Sequence, residues 1–173
     1  MQTPLVMTLL GLDRTGLVEA VARAVADHGG NWLESRMCRL GGEFAGILRV
    51  EIPAAQKAAL LAALQKISGL TVTVRDDAAN TSPAPARLTK LEVVGHDRPG
   101  IVRDITRALA RAGVNVEEFS SEVASAPMSG ETLFKATARL RLPECCDVSA
   151  LKRDLEQIAS DLLVDVALAD MAG

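Results

Sequence analysis

Aromatic residues are almost absent from this chain of 173 residues: three phenylalanines, one tryptophan and no tyrosine. Proteins that grip single-stranded nucleic acid stack bases on exposed rings, and Phe44, Phe119, Phe134 and Trp32 leave few to spare. The core must then be built from Ala, Val, Leu and Ile. Positive charge is not in excess either. Nineteen Lys and Arg against 22 Asp and Glu give a net charge of −3, the opposite of the basic footprint of nonspecific DNA binding. Cysteine is scarce. Cys38, Cys145 and Cys146 are odd in number, two are adjacent, and none has metal-ligand spacing with histidine. That excludes a disulfide framework and suits a reducing cytosol. No apolar run approaches the roughly 18 residues of a membrane helix, and Met1-Gln2-Thr3-Pro4 carries no basic leader segment. The sequence reads as that of a soluble, cytoplasmic protein.

Catalytic equipment is equally thin. The two histidines, His28 and His96, stand in unrelated places. There is no Gly-x-Ser-x-Gly elbow and no Gly-x-x-x-x-Gly-Lys phosphate loop. The carboxylates are spread along the chain rather than paired. We expect no catalytic residue, no metal and no cofactor, and hence a protein that is not an enzyme.

What the sequence does have is a repeat. Hydrophobic residues make up 49% and charged residues 24%, enough for a buried core. Aligned on itself at an offset of 84, the chain matches at eleven positions between residues 11 and 34, from Gly11 on Gly95 to Glu34 on Glu118. About one or two would arise by chance. At an offset of 90, Phe44 falls on Phe134, Arg49 on Arg139 and Pro53 on Pro143. The change of offset places six extra residues near 124–130, where an exposed hairpin loop is expected. The stretch around Asn80-Thr81-Ser82-Pro83-Ala84-Pro85 is small, polar and broken by proline, as in a linker. The expected organisation is a first domain over 1–76, a linker over 77–87 and a second domain over 88–173.

Each half reads β-α-β-β-α-β. Leu5–Leu10 is a short apolar run. Leu17, Val18, Val21 and Val25, like Ile101, Val102, Ile105 and Leu109, recur at helical spacing. Phe44 to Ile52 and Phe134 to Leu142 alternate with period two. The expected fold is α+β: two ferredoxin-like βαββαβ units, each an antiparallel sheet with helices on one face. One such unit is small and benefits from pairing. Exposed sheet edges could also pair between chains, so a homodimer is expected.

The most repeated residues form the first strand-to-helix turn, Gly11-Leu12-Asp13-Arg14-Thr15-Gly16 and Gly95-His96-Asp97-Arg98-Pro99-Gly100. Architecture explains part of this. Gly11 and Gly95 would permit a tight turn, and Gly16 and Gly100 a close helix-to-sheet approach. Asp13 or Asp97 can cap helical N–H groups, and Pro99 suits the first helical position. Arg14 and Arg98 fit a contact with a carboxylate or a partner better. Asn31 and Asn115, in phase at the start of the second strand, could serve a turn or a ligand.

Asp-Arg-[Thr/Pro]-Gly-[Leu/Ile]-Val, a helix, then Gly-x-Asn opening a strand resembles the ACT domain, a ferredoxin-like regulatory module. That resemblance implies an amino-acid effector held near this loop, at an interface between domains. It marks Gly11, Asp13, Arg14, Gly16, Asn31, Gly95, Asp97, Arg98, Gly100 and Asn115 as candidate ligand-binding residues. In serine-sensing members a His and an Asn of the loop and the strand-opening Asn hold the effector. Here the loop Asn is replaced by Asp13 or Asp97, and the His position is Gly11 or Gly95. His96 lies one residue beyond it.

Two such modules filling a short chain are similar to the group of glycine cleavage system transcriptional repressors. This implies an amino-acid-responsive regulator, with glycine as one candidate ligand, acting on a transcription factor. The alternative is a regulatory subunit of an amino-acid biosynthetic enzyme, whose partner would be that enzyme. Arg103, Arg107 and Arg111 line one helix face, but Glu19, Arg23 and Asp27 occupy it in the other half. No direct contact with nucleic acid or membrane is therefore expected.

Overall fold

A computed structural model describes residues 1–77, 86–125 and 131–170. Most of the expected linker and the centre of the expected hairpin insertion, residues 78–85 and 126–130, lie outside the described residues. The chain divides into two compact units, Met1–Thr81 and Ser82–Gly173.

In the first unit, β1 (Gln2–Leu12) leads into α1 (Leu17–Asp27), followed by the hairpin of β2 (Asn31–Leu40) and β3 (Glu43–Pro53). A short 3-10 turn precedes α2 (Lys57–Gln65), and β4 (Leu70–Asp76) closes the sheet. The second unit repeats this as β5 (Ala86–His96), α3 (Ile101–Arg111), β6 (Asn115–Ser125), β7 (Thr132–Pro143), α4 (Val148–Leu162) and β8 (Val164–Asp170). The sheet orders are β2-β3-β1-β4 and β6-β7-β5-β8, with antiparallel pairing throughout. Both are the ferredoxin-like βαββαβ fold. Ala86 and Arg87, at the end of the expected linker, already belong to β5.

Register makes the duplication concrete. Gly11 lies opposite Phe44 as Gly95 lies opposite Phe134, and Asn31 opposite Glu51 as Asn115 opposite Arg141. Even the irregularity in the second strand recurs, between Trp32 and Glu34 and between Val116 and Glu118. An extra residue there twists the edge strand locally. The first hairpin turns through Gly41 and Gly42, both at positive φ (60° and 87°). Two consecutive residues of that kind suit a tight antiparallel hairpin, and only glycine adopts them without strain.

Mainly aliphatic side chains supply each core, but Met7 and Phe44 in the first and Phe134 in the second are also part of it, beyond the Ala, Val, Leu and Ile expected. Leu5, Met7, Leu48, Val50, Ile52, Leu60 and Leu64 are fully shielded in the first unit, as Leu140 is in the second. They come from the inward positions of the alternating strands and from one stripe of each helix. Leu17, Val21 and Val25 are the buried stripe of α1; Ile101, Ile105, Ala108 and Leu109 are that of α3. No helix among the described residues is long and apolar enough to cross a membrane.

Candidate functional site

Both candidate loops begin at a strand end held to its neighbour. The Asp13 N–H donates to the Gly42 carbonyl at 2.9 Å, and the Asp97 N–H to the Thr132 carbonyl at 3.0 Å. The loops then deliver Arg14 or Arg98 and turn into α1 or α3. The glycines act differently from the expectation. Gly11 and Gly95 are not turn residues; they are strand residues pressed against the last strand. A Cβ on Gly11 would collide with the Gly69 carbonyl, and one on Gly95 would sit 2.6 Å from Val164 Cα. Gly16 and Gly100 are the turn residues, at φ 83° and 103°, each immediately before the helix. A Cβ on Gly16 would meet nothing within 4 Å, so backbone conformation rather than close packing calls for glycine there.

Neither aspartate caps its helix. α1 and α3 start without any side-chain cap, leaving N–H donors at the positive end of each helix dipole. Pro99 likewise precedes the left-handed Gly100 and is outside the helix. Asp147 does cap α4, accepting from Ala150 N at 2.9 Å.

In the first unit Asp13 instead faces a side chain of β2. Arg39 Nε donates to Asp13 Oδ2 at 2.6 Å, and Arg14 Nη2 donates to the Ser68 carbonyl at 3.3 Å. In the second unit Asp97 is exposed and Arg98 half-buried. His96, next to Asp97, lies 3.9 Å from Glu131 through Nε2. Arg39 and Ser68 were not among the candidate residues. Arg39 falls beyond the ungapped block of the repeat, and its counterpart is Val123, so shared residues could not point to it.

The two strand-opening asparagines are placed far from their own loops. Asn31 pairs with Glu51, whereas the loop leaves β1 beside Glu43. Those partners are eight residues apart on β3, about 26 Å at strand rise. Asn115 and Asp97 are separated in the same way. Within one unit, then, the structure brings Gly11, Asp13, Arg14 and Gly16 together and leaves Asn31 at the opposite sheet end. Gly95, Asp97, Arg98, Gly100 and Asn115 divide likewise.

Other charged clusters read as surface structure. The exposed Arg103 pairs with the half-buried Asp104 at 2.8 Å, and this hydrogen bond holds the Asp104 carboxyl below its ordinary range. Asp104 and Asp154 interleave with Arg107 and Arg111 between α3 and α4, so the arginine stripe is electrostatically mixed. Glu117, at the strand irregularity, accepts from Arg139 Nε at 3.1 Å and Arg141 Nε at 2.5 Å. Among the described residues, no group of three or more His, Cys, Asp or Glu side chains could hold a metal ion.

A strand–loop–helix turn of this form, twice over on two βαββαβ sheets, defines a tandem of two like α+β modules. Models of the ACT domain match residues 3–75 and 89–136. The chain belongs to the ACT-domain family. A solved structure of an unknown protein from Galdieria sulphuraria is similar at 30% identity, covering 99% of this chain and all of that one, with a TM-score of 0.91. A second, provisionally named a glycine cleavage system transcriptional repressor, is 18% identical over 100% of this chain and 99% of its own, with a TM-score of 0.65. That likeness is one of fold. No curated protein matches the chain significantly.

Proposed function

We propose that this protein is a non-enzymatic, cytoplasmic regulator that responds to a small amino acid and acts on transcription through a protein partner. It would work in the manner of a glycine cleavage system repressor, with glycine as the first ligand to try. The observation that supports this most is the pairing, in one loop, of an acidic and a basic side chain with an uncapped helix start. An aspartate suits an ammonium group; an arginine and free helical N–H groups suit a carboxylate. An α-amino acid carries both charges within a few ångströms. Asn31 and Asn115 lie at the other sheet end from the loop of their own unit.

Ligand occupancy would shift the population of loop conformations and so change the surface offered to the partner. The partner is the bound macromolecule in this reading, not DNA. A regulatory-subunit role is the competing reading, and the presence of the loop in both units favours a self-contained sensor over it. Isothermal titration with glycine and L-serine tests the response; heat of binding is expected, and its absence for both rejects the sensor. Affinity capture from native extract separates the partners. A transcription regulator is expected, and recovery of a biosynthetic enzyme instead would establish the subunit role. A homodimer through free sheet edges is part of the same proposal, checked by light scattering during size exclusion.

A further inference from the structure

The two loops share Gly, Asp, Arg and Gly and the same backbone bond at the aspartate, yet their charges are engaged differently. Arg39 sits opposite Phe44 in the β2–β3 pairing and holds Asp13 through a charge-assisted bond at 2.6 Å. Arg14 is tied to the Ser68 carbonyl. In the second unit the residue opposite the equivalent Phe134 is Val123, which has nothing to donate. Among the described residues, Asp97 and Arg98 have neither a hydrogen-bonded nor an ion-paired side-chain partner.

We propose that Arg39 closes the first loop as an internal ion pair, and that the second unit's loop is the one that takes the zwitterionic amino acid. This rests on the amino-acid response proposed above and adds which copy responds and what silences the other. A ligand ammonium approaching Asp13 must displace a guanidinium already in place and then remain beside that like charge. Asp97 has no such cation to displace among the described residues. The loss of one exposed pair together with the added repulsion amounts to about a tenfold difference in affinity.

The test is calorimetric titration of the full chain with glycine and, separately, L-serine. One tight site per chain is expected. D97N should weaken it about tenfold or more, because a neutral amide cannot pair with the ammonium, while D13N should leave it within about twofold. R39V, which copies the second unit's residue, should add a second site, with thermal unfolding showing that the variant is folded. Two equal sites in the unaltered protein, or loss of binding in D13N but not D97N, would overturn the inference while leaving the amino-acid response intact. No binding by either the unaltered protein or R39V rejects both.

Discussion

At the scale of single residues, the positions that matter most are set by backbone geometry. Gly69 ends the turn before β4 at φ 74°; its counterpart, Leu163 before β8, adopts φ 53° and leaves its side chain two-thirds exposed. A leucine in the left-handed region costs about 1–2 kcal/mol. Leu163→Gly should therefore stabilise the second unit by about 1 kcal/mol in urea unfolding. Gly95→Ala should do the reverse by about 1–3 kcal/mol, since its Cβ meets the Val164 backbone. Thiol reactivity divides similarly. Burial, with Cys145 and Asp147 adding to it, pushes the Cys146 thiol above its ordinary pKa, while Cys38 and Cys145 are exposed. Alkylation at pH 8 followed by mass spectrometry should modify those two well before Cys146. The repeat marks Gly11 and Gly95 as glycine but not the reason, and it does not mark Gly69. Whether glycine serves a turn or a close approach depends on which strand lies alongside, and pairing of Gly11 with Leu70 links residues far apart in sequence.

At the scale of elements, periodicity carries most of the architecture. The alternation of β3 and β7 matches the buried faces found, and so do the apolar stripes of α1 and α3 except at Val18 and Val102, which are exposed. Leu48 and Leu140 are wholly shielded on equivalent central strands. Replacing either by alanine should cost about 2–5 kcal/mol in denaturant unfolding. Asp147→Ala removes the cap of α4 and should cost about 1 kcal/mol. That cap was legible because aspartate directly precedes a helical pattern. The charges of the candidate loop were harder to read. An aspartate near a helix start satisfies the same local rule, yet Asp13 is drawn to Arg39, 26 residues away in sequence. Long-range ion pairs leave no periodic mark. The 26 Å between each asparagine and its loop is equally invisible until the strands are paired.

At the scale of the whole molecule, each unit has its own mainly aliphatic core, with thirteen buried side chains in one and fifteen in the other among the described residues. A chain of residues 1–77 alone should therefore unfold cooperatively, as followed by circular dichroism in urea. Length differences between the units collect after the first helix: α4 has 15 residues where α2 has 9. By contrast, residues 11–34 and 95–118 align without a gap, and their strands hold matching registers. The duplication has thus preserved a cassette of equal length. Grafting 95–118 in place of 11–34 would change no segment length, and it would place Val114 where Gly30 now packs against Val25. The natural gene carries both a donor and a recipient for such a transplant, so the influence of the loop on behaviour can be separated from that of the scaffold around it without designing a new sequence.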